Sequence, residues 1–332
     1  MLNVAIIGAG VWSENHRTGW NACDKARIAC VVRSSAAAAE ETARRWGVPA
    51  WDDDYRRVLQ RDDIDIVDIL LPHHLHVDVA VAALEHGKHV LMEKPLAITL
   101  GDAQRLVDAG QHADRKVMIA ENWDYATVVR WAKERIDSGD IGAPFLIRTT
   151  LEMDVRGGFS NLRWRHDAES MGGGALLDAG THPVSACRYL LGEIVEVGAF
   201  VESVGFEAIR PLEDTTLLLL RFASGAVGSL IVSWTAQRER PRSEFTILGS
   251  AGTIEFDTHG RSVFFTRDGG RTEQFLPAAS RGFVEQVAHF IDCIALDRTP
   301  LTSPQEQLGS LKTVLAAYRS ARERRFIRLS EL

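Results

Sequence analysis

The sequence predicts an α/β chain: a doubly wound parallel sheet comes first, and an α+β domain with an open, mostly antiparallel sheet follows. Two patterns carry this expectation. Up to residue 122, short β-branched runs alternate with helical stretches, and strand, helix and strand in series build parallel sheets. From about residue 145, strand-like runs follow one another across short glycine-containing turns, the pattern of antiparallel pairing. At 332 residues, against roughly 150 per domain, two domains are expected, 1–122 and 123–332, with the joint near Asn122.

In chain order, "NVAIIGAG", "IACVVR", "IDIVDILLP", "HVLMEKP" and "KVMIAEN" are the expected strands of the first domain. "DVAVAALEHG" and "TLGDAQRLVDAGQHA" carry helical spacing between them. Gly47 and Gly87 fall where helices should stop, and Thr99 with Asp102 has the offset of a capping pair. In the second half, "FLIRTTLEMDV", "EVGAFVESV", "TTLLLLRFASG", "AVGSLIVSWTA", "SEFTILGS", "GTIEFD" and "RSVFFTRDGG" read as consecutive strands. Helices near residues 281–296 and 304–321 close the domain.

Composition is that of an ordinary globular protein, 45% hydrophobic and 25% charged, without low-complexity tracts. A net charge of -7 counts against a phosphate-backbone binder, so no nucleic-acid partner is expected. The basic stretch "SARERRF" sits at a helix end, where it complements the helix dipole. Cys23, Cys30, Cys187 and Cys293 lack C-x-x-C spacing and read as reduced core thiols of a cytoplasmic protein. The chain enters a strand at once and no apolar run reaches bilayer length, so neither secretion nor membrane insertion is expected.

Chemistry concentrates at strand ends. The first strand runs into Gly8-Ala9-Gly10-Val11-Trp12-Ser13, a G-x-G-x-x-G pattern with serine at its third position. The first glycine suits the tight turn, the second admits the backbone to a pyrophosphate, and the helix N-terminus behind them offers N–H groups to the anion. Its placement, after an N-terminal strand and at the head of a βαβ series, makes this imperfect pattern a dinucleotide site. At the end of the second strand an acidic residue usually accepts the ribose hydroxyls of NAD. This chain has Arg33-Ser34-Ser35 there. An arginine fork suits the 2′-phosphate of NADP, so NADP is the expected cofactor and NAD the alternative. An exposed arginine that merely ends the strand is the competing reading.

"LLPHHLHVDVA" ends the third strand and brings Leu71, Pro72, His73, His74 and His76 to the carboxyl edge, where open α/β sheets bind ligands. No metal site is expected from these histidines, because Pro72 and the following helix splay them and no partner cluster has zinc-like spacing. The fourth strand delivers Glu93-Lys94-Pro95 to the same edge, with the lysine beside the expected nicotinamide position. A cis Lys94-Pro95 bond is one means of fixing the backbone there. Asn122, Trp123 and Tyr125 are placed for nicotinamide or substrate contact, or for packing.

In "GGGALLDAGTHPVSACRYLLGE", Asp178 and His182 are four apart, which on a helix sets them on one face. Glycines 172–174 and 180 permit close approach of backbone to ligand or cofactor. A histidine titrates near neutrality and can take a proton from an alcohol as hydride leaves. A helix-surface Asp and His pair is the plain alternative. In the preceding loop, "RGGFSNLRWRHD", Trp164 can stack on a sugar face and Arg156, Arg163 or Arg165 can bind an acid or phosphate group, or these are solvated loop residues.

Together these motifs resemble the Gfo/Idh/MocA family, named for glucose-fructose oxidoreductase, inositol dehydrogenase and rhizopine catabolism. The likeness spans nearly the whole chain: the G-x-G turn with His16 beyond it, P-x-x-x-H from Pro72 to His76, E-K-P from Glu93 to Pro95, and G-G-G-x-L-x-D-x-G-x-H from Gly172 to His182. It implies a Rossmann domain, a C-terminal domain with an open antiparallel sheet, homodimers or homotetramers through that sheet, and sugar or cyclitol substrates. It also implies a catalytic trio of Lys94, Asp178 and His182. Cofactor contacts are expected at Gly8, Gly10, Val11, Trp12, Ser13, Arg33, Ser34, Leu71, Pro72, His73, His76, Glu93, Lys94, Pro95 and Asn122. Substrate contacts are expected at Lys94, Tyr125, Trp164, Arg165, Asp178 and His182. The chain departs from the family pattern at Ser13, which bears on cofactor packing, and at Arg33, where many members have aspartate.

The expected activity is hydride exchange between NAD(P) and a carbinol or keto carbon of a sugar, sugar derivative or cyclitol. His182 acts as general base or acid, Lys94 hydrogen-bonds the same oxygen, and Asp178 orients Lys94 or a substrate hydroxyl. Two rivals remain: turnover of a non-sugar substrate such as an imine, bilin or dihydrodiol, and a dinucleotide-sensing regulator without turnover. The intact trio speaks against the regulator.

Overall fold

The structure, a computed structural model, describes residues 1–10, 12–159, 163–237 and 244–332. Val11 lies outside them, as does the side chain of Arg163. The described chain forms two compact units, Met1–Glu121 with Phe283–Leu308 and Asn122–Gly282 with Gly309–Leu332.

The first unit is built on β1 (Leu2–Ile7), β2 (Ala26–Val32), β3 (Ala50–Asp52), β4 (Ile66–Ile69), β5 (His89–Glu93) and β6 (Val117–Ala120). They pair in parallel in the order β3-β2-β1-β4-β5-β6. Chain order reverses between β1 and β4, and the carboxyl ends flanking such a switch point form the ligand crevice of a doubly wound sheet. Five of these strands, four to seven residues long, are mostly apolar. The sixth, β3, has three residues with Trp51 exposed, too short to give a periodic signal. Helix Phe283–Ala295, which the sequence places with the C-terminal domain, belongs to this unit. It packs on helix Ser13–Asn21 so closely that a Cβ on Gly19 would sit 2.5 Å from the Phe283 carbonyl oxygen.

The second unit carries β7 (Pro144–Glu152), β8 (Ile194–Glu202), β9 (Thr215–Phe222), β10 (Val227–Ser233), β11 (Phe245–Gly249), β12 (Gly252–Phe256), β13 (Ser262–Arg267), β14 (Gly270–Phe275) and β15 (Ile327–Arg328). Their order is β14-β13-β12-β11-β7-β10-β9-β8-β15, with every pairing antiparallel except β7 with β10. The strands β14 and β15 had no signal in the sequence: the first is exposed throughout and the second has two residues.

Helix ends follow local chemistry. Gly47 and Gly87 take positive φ of 68° and 69°, the left-handed cap. Thr99 Oγ1 accepts from Asp102 N at 3.1 Å at the start of helix Leu100–His112. Among the described residues, no helix is long and apolar enough to cross a membrane.

Candidate active site

In the first unit the turn after β1 is shaped by backbone. Gly8 has φ 91° and donates its N–H to Val32 O at 3.0 Å. Gly10 is exposed, and a Cβ there would meet nothing nearer than Gly8 O at 3.9 Å. That open space, with helix Ser13–Asn21 starting beside it and no side-chain cap on its first N–H groups among the described residues, fits a dinucleotide pyrophosphate. Ser13, the departure from glycine, is fully buried, and its Oγ donates to Gly10 O at 2.5 Å. The hydroxyl therefore closes on the turn it follows. At the end of β2, Arg33 is half-buried with Nη1 donating to Thr42 Oγ1 at 3.2 Å; Ser34 is exposed, and Ser35 caps helix Ala36–Trp46.

Past β4, His73 is buried, His74 exposed, and Leu71 and Pro72 half-buried. His76 is fully buried, with Nδ1 3.0 Å from Pro95 O and Nε2 2.8 Å from Leu71 O. Burial and neighbouring His73 push its pKa down to about 4, so the neutral ring donates to one carbonyl at a time. His76 thus ties the segment after β4 to the segment after β5. There Lys94 is 9% exposed and the Lys94–Pro95 bond is cis. Glu93 turns inward: its Oε1 accepts from Trp12 Nε1 at 2.9 Å and faces His16 Nε2 at 2.8 Å.

In the second unit Asp178 ends the short helix Ala175–Asp178, and His182 is the second residue of helix Thr181–Leu191. Ala179 and Gly180 lie between the two helices, both with right-handed helical backbone. Asp178 is 3% exposed and pairs with Arg165 Nη1 at 3.2 Å; the Arg165 guanidinium lies over Trp164 at 5.1 Å. Three of the expected substrate residues are therefore brought together. The His182 ring stacks on Trp123, centroids 5.2 Å apart and planes 15° from parallel. Trp123 meets Phe245 and His259 edge-on at 6.1 and 6.5 Å, which fixes the platform. Tyr125 is 1% exposed beneath the Arg130 guanidinium, Asn122 Nδ2 donates to Arg281 O at 2.7 Å, and Arg156 pairs with Asp154.

Two glycines of the triplet, Gly173 and Gly174, have a purpose the sequence did not suggest. A Cβ on Gly174 would sit 1.9 Å from Glu213 O, and one on Gly173 would sit 2.4 Å from the Tyr318 hydroxyl. The close approach is therefore to protein. The buried Glu213 carboxylate accepts from Gly174 N at 2.8 Å, Leu176 N at 2.9 Å and Tyr318 Oη at 2.7 Å, holding the start of the helix that ends at Asp178. Burial raises its pKa against these three donors. Nothing in "PLEDTT" marks this glutamate, because its partners are distant in sequence. Distance also hid Glu244, Asp257 and His259, whose ligand-type atoms lie within 4.8 Å of one another.

Two family descriptions match the chain: residues 2–121 match the oxidoreductase family with an NAD-binding Rossmann fold, and residues 129–255 match the GFO/IDH/MocA C-terminal domain. Levoglucosan dehydrogenase of Pseudarthrobacter phenanthrenivorans is 32% identical over 290 residues, covering 78% of this chain and 74% of that protein. The scyllo-inositol 2-dehydrogenase (NAD(+)) of Bacillus subtilis is 27% identical over 97% of this chain and 94% of its own. A solved levoglucosan dehydrogenase in complex with NADH and levoglucosan superposes with a TM-score of 0.92 at 27% identity, covering 99% of both chains. The turn after β1, the lysine after β5 and the Asp178 and His182 segment sit in a chain that belongs to the Gfo/Idh/MocA family of oxidoreductases, with an NAD-binding Rossmann fold at its N-terminus.

Proposed function

We propose that this protein is an NAD(P)-dependent dehydrogenase that acts on a carbinol or keto carbon of a sugar, sugar derivative or cyclitol, with Lys94, Asp178 and His182 as its catalytic residues. When bound, the nicotinamide supplies or accepts the hydride. His182 takes the hydroxyl proton in oxidation and returns it in reduction. Lys94 donates a hydrogen bond to the reacting oxygen and stabilises developing alkoxide. Asp178, its carboxylate engaged by Arg165, orients a substrate hydroxyl. The observation that carries this reading is likeness over 99% of both chains to a protein holding NADH and levoglucosan. A screen of polyols, anhydrosugars and keto sugars with each cofactor tests it. Turnover confined to imines, bilins or dihydrodiols moves the substrate class, and cofactor binding without any turnover selects the regulator.

NADP is the proposed preference, on the strength of Arg33 and exposed Ser34 at the end of β2. Charge-assisted hydrogen bonds of a guanidinium to a phosphate contribute about 1.5–3 kcal/mol each. Arg33→Asp is therefore expected to weaken NADPH binding by about 10- to 100-fold in a fluorescence titration while sparing NADH. Equal NADH and NADPH affinities in the unaltered protein make Arg33 a bystander.

A homodimer or homotetramer through the second sheet is the proposed assembly. In β9, buried Leu218 and Leu220 alternate with Leu217 and Leu219, which are 37% and 49% exposed. Phe200 on β8, 69% exposed, is in register with Leu217. An apolar sheet face open to water is what a second copy covers. Leu219→Arg with Phe200→Glu is expected to yield monomers by light scattering; an unchanged mass removes this face from the interface. Unpaired cysteines suit a cytoplasmic location, which is proposed with it.

A further inference from the structure

His16 lies in helix Ser13–Asn21, fully buried, and touches two carboxylates at once. Its Nδ1 is 2.9 Å from both oxygens of Asp68 on β4, and its Nε2 is 2.8 Å from Glu93 Oε1 at the end of β5. Ionised carboxylates only accept hydrogen bonds, so both ring nitrogens must bring a proton and the ring is an imidazolium. Burial alone would lower its pKa, but the charges and hydrogen bonds of Asp68 and Glu93 outweigh it and push it up to about 10. Two indoles complete the network. Trp20 Nε1 donates to Asp68 Oδ2 at 2.6 Å, and Trp12 Nε1 donates to Glu93 Oε1 at 2.9 Å.

The ends of this chain of contacts are informative. Trp12 belongs to the turn that shapes the dinucleotide site, and Glu93 is the residue before Lys94. We propose that His16 is a positioning residue: it locks Glu93 so that docking of a dinucleotide at the Gly8–Gly10 turn and placement of Lys94 are coupled. This rests on the reading of Lys94 as catalytic. Without His16, Asp68 and Glu93 are like charges crowded in the interior; one must take up a proton or move, and either change reaches the backbone of Lys94. Trp12→Phe removes the indole N–H, keeps an aromatic ring of smaller area against Phe283, and leaves the ion triad in place.

The test compares His16→Asn, Trp12→Phe and Lys94→Met for melting temperature, NAD(P)H affinity, kcat and substrate KM. Misplacement of a catalytic group by about 1 Å can cost about 100-fold. His16→Asn is expected to lower kcat at least about tenfold with substrate KM within about threefold, and Trp12→Phe to lower both cofactor affinity and kcat severalfold at an unchanged melting temperature. Nitrogen NMR of the unaltered protein should show both His16 ring nitrogens protonated at about pH 8, well above the ordinary histidine range. Unchanged kcat and cofactor affinity in both variants, with Lys94→Met inactive, overturn the coupling while leaving the catalytic reading intact. An active Lys94→Met removes the catalytic reading and the coupling with it. Should His16→Asn fail to fold, Trp12→Phe decides alone, because wild-type kcat and affinity in that variant overturn the proposal.

Discussion

Lys94→Met is expected to lower kcat by about 100- to 10,000-fold, and His182→Ala by a similar factor, the range over which a positioned proton-transfer or hydrogen-bonding group accelerates a reaction. Methionine keeps an unbranched apolar stem one atom shorter than lysine and removes the three N–H donors, so the loss belongs chiefly to the ammonium and not to packing. Lys94 is 9% exposed, and its neighbours are held independently of it: Pro95 O by His76 and Glu93 by His16 and Trp12. The strand end should therefore survive the change. His182→Ala also strips the ring that stacks on Trp123, which faces little exposed surface at 5%. A small drop in melting temperature is expected there in addition to the catalytic loss. Steady-state kinetics on a confirmed substrate, with cofactor affinity measured separately, separates the two effects. Near wild-type turnover in both variants would remove these residues from the chemistry.

How much of this was legible depends on what each feature needs from the chain. Mostly apolar strands declare themselves by residue type, so the parallel series from β1 to β6 could be read apart from β3, whose three residues carry no period. The turn after β1 was legible because its demand is on the backbone: only glycine meets a positive φ against the Leu70 carbonyl. The fourth strand's Glu93-Lys94-Pro95 was legible as a cluster, but what Glu93 does was not. It is buried against His16 and Trp12, both distant in sequence, and spacing within a segment says nothing of contacts across it. Gly173 and Gly174 misled for the same reason. Glycines announce close approach without saying what approaches, and here it is Glu213 and Tyr318. Likewise helix Phe283–Ala295 has a clear apolar face, and that face does not say which unit it covers.

Gly8→Ala and Gly10→Ala should fail in different ways. At Gly8 the new methyl group would lie 2.2 Å from Leu70 O and 2.7 Å from Leu70 C, both backbone atoms that no side-chain rotation can clear. Relief requires parting β1 from β4 where Leu70 N donates to Ile7 O at 2.8 Å, or breaking the Gly8 N to Val32 O bond at 3.0 Å on the other side. The φ of 91° adds strain, since a left-handed backbone costs an L-residue about 1–2 kcal/mol. Overpacking adds about 1–3 kcal/mol. A loss of about 2–5 kcal/mol in the first unit is therefore expected, visible as a lower melting temperature, together with loss of NAD(P)H binding. At Gly10 the methyl group meets nothing nearer than 3.9 Å, so melting should barely change. It would, however, occupy the space through which a pyrophosphate approaches the backbone, and cofactor affinity should fall at least about tenfold. If Gly10→Ala binds NADH and NADPH as the unaltered protein does, the open space above that glycine is not where the dinucleotide lies, and the turn's shape serves only to join β1 to its helix.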